Sequence, residues 1–237
     1  MTQQQTSGGR LSAAPVQVFV VRLDDIELAA CRPLLDPSEA ALAGRMTHAD
    51  TRTTFVKSRA LLRTILSDAT GVAPADLRLI AGANGKPELA DAAGVHFSMS
   101  HSCGMALIVL HGQPNGVDIE RVDERVACFD LAHELFSAAE LSQLSRMTGD
   151  AQRTRQFFRT WTRKEALLKA MGLGFAVEPR TLDVAETTCA AELGWHVRPL
   201  AVAPAWEAAL ATADAEADVR MMDVVSLSPF RTERRAA

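Results

Sequence analysis

Several things are scarce in this 237-residue sequence, and each scarcity closes off a class of protein. The longest strongly aliphatic run is MALIVL (105–110), far short of a bilayer span, so no membrane-crossing segment is expected. The start, MTQQQTSGGRLSAAP, has neither the basic nor the apolar stretch of a secretory leader. Cysteine is limited to Cys31, Cys103, Cys128 and Cys189, with no CxxC pair and no histidine at finger spacing. That excludes a structural zinc module and a disulfide framework, and it points to reduced thiols and a cytoplasmic location. There is no excess of positive charge either. A net charge of −4 and a pI near 5.9 do not suit a non-specific nucleic-acid binder.

What is present is globular. Hydrophobic residues make up 48% and charged residues 23%, in a chain long enough for one large domain or two small ones. VQVFVVRL (16–23) reads as a buried strand. Residues 37–67 read as two helices, the second over about 49–69 and stopping at Gly71. DLRLIAGANGKPELA reads as strand, glycine turn and extended piece. HFSMS and MALIVL form a hairpin that HGQPNG extends into VDIERV, an expected antiparallel meander. Ser137 and Glu140 form a capping box for a helix over FSAAELSQL. RQFFRTWTRKEALLKAMGLGF (155–175) is a long helix ending at Gly172 or Gly174. LDV, GWHVRPLAV, WEAALAT and VRMMDVVSL read as closing strands. The pattern of strand, helices and meander occurs twice. It divides the chain into a loose tail (1–14), two halves (15–114 and 115–230) and a second tail (231–237).

Two features carry candidate chemistry. In NGVDIE, strand alternation turns Asp118 and Glu120 to one face and Val117 and Ile119 to the other. On the long helix, Phe158, Trp161, Glu165 and Leu168 recur at spacings of three, four and three, so Glu165 lies in the apolar stripe. A buried carboxylate needs a cation or donors. Lys169, one turn on, would satisfy it alone, leaving Asp118 and Glu120 on a solvated strand face. Alternatively, the three carboxylates form an all-oxygen set for a hard divalent cation such as magnesium. SMSHS holds Ser100 and His101, which suit a phosphate or an ordinary turn, and GKP offers Lys86 on a rigid turn. Arg45, Arg52, Lys57, Arg59 and Arg63 give the second helix a local positive field, either a phosphate grip or a solvated face.

GKPEL, FSMSHS, GVDIERV, FSAAEL and WTRKEALLKAMGLGF, in this order over residues 85–175, resemble the 4′-phosphopantetheinyl transferases of the surfactin-synthetase-activating (Sfp) type. The resemblance implies an α+β fold of two similar halves related by a pseudo-twofold, with coenzyme A bound between them. It implies transfer of the phosphopantetheine arm to a serine of an apo acyl or peptidyl carrier protein, with release of adenosine 3′,5′-bisphosphate. Asp118, Glu120 and Glu165 then correspond to magnesium ligands, and Glu165 also to the base for the carrier serine. Lys169 corresponds to the pyrophosphate-contacting lysine, and Arg59, Lys86, Ser100, His101 and Lys164 to further coenzyme contacts. DPSEAALAGR (36–45) departs from the family pattern by supplying only Arg45 where lysines are usual, and Arg45, Arg52 or Arg59 could substitute. The carrier would dock within 121–160.

Two other readings stand beside this one. A non-catalytic coenzyme A or carrier-binding module of the same fold would have no need of the carboxylate trio. Another magnesium enzyme built on the acidic pair, such as a nucleotidyl transferase or nuclease, would need a nucleic-acid groove, and the acidic overall charge and the absence of stacked aromatics near the site count against it. Because the two halves already build a complete cleft, a monomer is expected.

Overall fold

In the computed structural model, residues 14–82, 84–91, 94–126, 128–186 and 189–222 are described. The expected tails lie outside them apart from Ala14.

Strand β1 (Val16–Arg22) sends alternate residues to opposite faces, and both faces are covered. Val16 and Val18 enter one apolar cluster and Phe19 enters another. Strand β5 (Met105–His111) does the same, with Met105, Leu107 and Val109 on one side and Ala106, Ile108 and Leu110 on the other. Every residue of β5 is buried, which is why MALIVL shows no polar alternation.

Four strands make the first sheet, in the order β4 (His96–Ser102), β5, β1, β9 (Val219–Met222). β4 and β1 each pair antiparallel to β5, and β9 pairs parallel to β1. β9 therefore crosses the boundary drawn at 114/115 and joins the sheet of the first half. β2 (Leu79–Ala81) and β3 (Pro87–Leu89) form a separate small hairpin. The last sheet has the order β6 (Asn115–Arg121), β8 (Trp206–Thr212), β7 (His196–Pro199), all antiparallel.

The expected meander thus stops at β5. Its second edge is already taken by β1, so β6 leaves and pairs with β8. Val117, Ile119, Ala208 and Leu210 then face Val16, Val18, Leu107 and Val109, joining the two sheets through one apolar layer.

Each sheet carries one long helix on its outer face. The α-helices that follow β1 are α1 (Leu28–Cys31), α2 (Pro37–Arg45) and α3 (Ala49–Thr70), the last of 22 residues. Leu61, Leu62, Ile65 and Leu66 of α3 pack on Phe19, Ile108 and Leu110. α4 (Cys128–Leu135) and α5 (Ala138–Ser145) precede α6 (Asp150–Met171), also 22 residues. Ala166, Leu167 and Ala170 of α6 pack on Val197, Ala209 and Ala211. Gly71 and Gly172 end the two helices in the left-handed conformation, as expected from sequence.

Charge also organises the interior. Arg63 is fully buried. It binds Glu39 at 2.5 Å, Asp36, and the carbonyls of Pro74 at 2.6 Å and Leu77 at 3.0 Å. Lys57 donates to the Leu23 carbonyl at 2.9 Å. Two of the five cations expected to give α3 an outward positive field are therefore used to hold the fold.

LDV is not a strand. The Leu182 carbonyl accepts from Lys164, and the Val184 N–H donates to Glu140 at 2.7 Å, so this stretch is a loop pinned by polar groups.

Candidate active site

Asp118 and Glu120 lie on the face of β6 turned to α6, and two features of the chain build the site around them. The first is Gly116. A Cβ at that position would fall inside the van der Waals envelope of the Ala166 carbonyl oxygen and the Ala170 amide nitrogen, and 2.9 Å from Ala170 Cα. The bare strand lets α6 lie directly against it, and that contact carries Glu165 and Lys169 toward Asp118. The second is a row of serines. Ser98, Ser100 and Ser102, at every other position of β4, lie beside β6 although no backbone ladder joins the two strands. Ser98 Oγ accepts from the Val117 N–H at 3.1 Å. Ser100 Oγ donates to Asp118 Oδ1 at 2.7 Å, and Ser102 Oγ donates to Glu120 Oε2 at 2.7 Å.

Lys169 Nζ donates to the same Asp118 Oδ1 at 2.6 Å. Asp118 is 2% exposed, and its buried Oδ2 has no hydrogen-bond partner among the described residues. A buried carboxylate oxygen without a donor is costly, so this atom marks a place for a further positive group. Burial pushes the Glu165 carboxyl up from its ordinary range; Lys169 opposes this, while Asp118 and Glu120 add to it. Glu120 is likewise raised by burial first and then by Asp118, against the Ser102 hydrogen bond and Lys169. The charge of Asp118 thus bears on both Glu120 and Glu165, that of Glu120 bears on Glu165, and Lys169 opposes them. Among the described residues no group of three or more His, Cys, Asp or Glu forms a ready-made metal cluster. The donor set, all oxygen with an excess of negative charge and one orphaned oxygen, is nonetheless chemically suited to a hard divalent cation.

A cavity of about 260 Å³ adjoins this cluster, with Glu165, Leu168 and Lys169 on one wall and Lys86, Phe97 and Met99 on the other. Lys86 Nζ donates to the Asn115 carbonyl at 2.7 Å, and Asn84 ties the same turn to the Gly172 carbonyl at 2.7 Å. Burial lowers the Lys86 pKa to about 8, with Glu88 opposing and Lys169 adding to the effect. His101 is exposed at the far end of β4. Its imidazole is held low, first by desolvation and then by the positive charges of Lys169 and Arg59. Arg59 lies 3.8 Å from Glu39 and over the Phe55 ring.

Not all the expected residues converge here. Ser100, expected as a phosphate contact, does stand in the cluster, where its hydroxyl donates to Asp118. Lys164 is fully buried. Its ammonium pairs with Glu140 Oε2 at 2.8 Å and donates to the Pro179 carbonyl at 2.9 Å and to the Leu182 carbonyl. The expectation that Lys164 binds the coenzyme is therefore corrected: one residue before Glu165, it lies on another face of α6 and fastens α5 and the 179–184 loop. Burial lowers its pKa, against the Glu140 charge. Lys164→Met leaves the Glu140 carboxylate buried without its cation, and the expected loss is about 3–5 kcal/mol of unfolding free energy, read by urea denaturation.

Ser98, Ser102 and Gly116 were not singled out from sequence. The period-two serines of FSMSHS were the available signal, since alternate strand residues share a face.

Comparison with known proteins adds to this geometry. The family model described as the 4′-phosphopantetheinyl transferase superfamily matches residues 114–212. The 4′-phosphopantetheinyl transferase HetI of Nostoc sp. (strain PCC 7120) is 34% identical over 176 residues, covering 73% of this chain and 71% of that protein. The 4′-phosphopantetheinyl transferase Sfp of Bacillus subtilis (strain 168) is 27% identical over 143 residues, 60% of this chain and 62% of that protein. The L-aminoadipate-semialdehyde dehydrogenase-phosphopantetheinyl transferase of Eremothecium gossypii is 36% identical over 135 residues, 53% and 48% of the two chains.

Proposed function

The chain belongs to the 4′-phosphopantetheinyl transferase superfamily and is an enzyme of that class, and from this premise we propose how its residues perform the transfer. The reaction moves the 4′-phosphopantetheine arm of coenzyme A to a serine of an apo carrier protein and releases adenosine 3′,5′-bisphosphate. Enzyme-class membership sets aside the non-catalytic binding module. The observation that carries the mechanistic reading is geometric: Lys169 bridges from α6 to Asp118 at 2.6 Å, and it lines one cavity together with Glu165.

Phosphoryl transfer depends on positioning and charge neutralisation more than on covalent help. Magnesium fits the carboxylate set, with the orphaned Asp118 Oδ2 as its clearest supporting feature. Asp118, Glu120 and Glu165 would hold it, and it would supply neutralising charge to the coenzyme's pyrophosphate. Glu165 takes the proton from the carrier serine hydroxyl. It lines the cavity next to Lys169, where an incoming hydroxyl can meet it. The serine oxygen then bonds to the phosphorus bearing the pantetheine arm, and the electron pair of the broken P–O bond leaves with the nucleotide phosphate. Lys169 neutralises a non-bridging oxygen during this step. Lys86, on the opposite wall, grips a phosphate of the coenzyme, with Arg59 and His101 toward its adenosine end.

Lys86 provides a pH test. With its pKa at about 8 in the free protein, its charge is present below that value and lost above it. Anion binding favours the charged form, so the KM for coenzyme A should stay flat up to about pH 8 and climb above it. Lys86→Met should raise KM and remove that bend, as steady-state kinetics across pH would reveal.

Among the described residues no helix is long and apolar enough to cross a membrane. A cytoplasmic monomer with no nucleic-acid partner completes the proposal, in keeping with the net charge of −4. The direct test is mass spectrometry of an apo carrier incubated with coenzyme A and magnesium. The carrier should gain the phosphopantetheine mass with this enzyme and remain unmodified without it. An unmodified carrier across a panel of apo carriers would reject the proposal.

A further inference from the structure

We infer that Ser102 is a positioning residue, which fixes the Glu120 carboxylate and the backbone beneath it from the neighbouring sheet. The inference rests on the proposed role of Glu120 as a cation ligand.

A serine hydroxyl has one proton to give and lone pairs to receive with. Ser102 uses both capacities on β6. Oγ donates to Glu120 Oε2 at 2.7 Å and accepts from the Arg121 N–H at 3.1 Å. The first bond orients the carboxylate and the second holds the strand that bears it. Ser102 is itself held on three sides. It pairs with Met105 in the β4–β5 hairpin, its carbonyl lies 3.5 Å from Trp206 Nε1, and the turn that follows it, Cys103–Gly104, is left-handed at both residues (φ 42° and 82°). Two consecutive left-handed residues close a two-residue hairpin with the twist of its strands, so the end of β4 is rigidly set.

No backbone ladder joins β4 to β6, so side chains do the work of a ladder at this seam. Without Ser102, the Glu120 carboxylate would lose its hydroxyl donor and the Arg121 N–H its acceptor. Hydrogen-bonding partners behind a metal ligand typically contribute 10–100-fold in metal affinity.

The test titrates manganous ion into the full chain and follows the free ion by electron paramagnetic resonance, alongside melting temperature. Ser102→Ala should bind the ion about tenfold or more weakly than wild type, with little change in melting temperature. Ser102→Thr keeps the hydroxyl on a strand that tolerates β-branching, and should restore affinity to within about threefold. In carrier loading, the alanine variant should recover part of its rate at high magnesium and the threonine variant should not need it. Wild-type ion affinity in Ser102→Ala overturns the inference, as does a loss that follows only the unfolded fraction. Asp118→Ala separates this from the underlying proposal. If that variant also binds the ion normally, the carboxylate site itself is wrong; if it loses the ion while Ser102→Ala keeps it, only the role of Ser102 fails.

Discussion

Asp118→Ala should abolish carrier loading, lowering kcat/KM by about a thousandfold or more, while the protein still folds. Removing a single electrostatic group from a preorganised site commonly costs about 10²–10³ in rate. Asp118 acts at more than one point. Its Oδ1 receives both Ser100 and Lys169, and its buried Oδ2 has no donor among the described residues. Losing it deprives Lys169 of its anchor and removes a member of the carboxylate set. Stability should change little, because deletion also removes a negative charge that raises Glu120 and Glu165. Carrier mass spectrometry and a thermal melt on the same sample check both halves of this expectation. A variant that loads at the wild-type rate would refute the role given to Asp118.

The second large effect is on the fold. Gly116→Ala adds one methyl group where Ala166 and Ala170 of α6 leave no room, and the obstructing atoms are backbone, which cannot swing aside. Overpacking in a close-packed interior costs roughly 1–3 kcal/mol and occasionally more, and a backbone clash belongs at or above the upper end. The expected loss is therefore about 3 kcal/mol in urea denaturation. Activity should fall further than the unfolded fraction accounts for, since moving α6 away from β6 also moves Glu165 and Lys169 away from Asp118. A fully stable, fully active Gly116→Ala enzyme would contradict the close approach described here.

Gly116 also illustrates what could not be read from the sequence, a close approach between two elements. The alternation that turns Asp118 and Glu120 to one face was legible, as were α3, α6, their glycine ends and the Ser137–Glu140 capping box, because each follows from spacing along a single element. Partners across elements were not. β5 and β6 look like neighbours in a meander, and only the prior claim of β1 on the edge of β5 sends β6 to β8. Lys164 and Lys169 both stand near Glu165 in sequence. Yet Lys164 faces Glu140 at 2.8 Å in the interior, and Lys169 faces Asp118 at 2.6 Å in the cleft. Helical spacing can assign a lysine to a face, but it cannot say which anion waits there. Arg63 was misread for the same reason: its neutralising carboxylates, Asp36 and Glu39, come from another helix and its cap.

The site was legible in part because its members are chemically conspicuous. Paired carboxylates and a glutamate in an apolar stripe announce themselves, whereas a serine that orients one of them does not. Residue types with a single dominant role stand out in a sequence. Ser102 became visible only when β4 was found lying beside β6.

The most direct measurement is a crystal structure of the protein grown with manganous ion and coenzyme A, with anomalous scattering used to locate the metal. The account predicts one strong peak bounded by the carboxylates of Asp118, Glu120 and Glu165, next to the pyrophosphate. A peak elsewhere, or a Glu165 side chain turned out of the cleft, would contradict it.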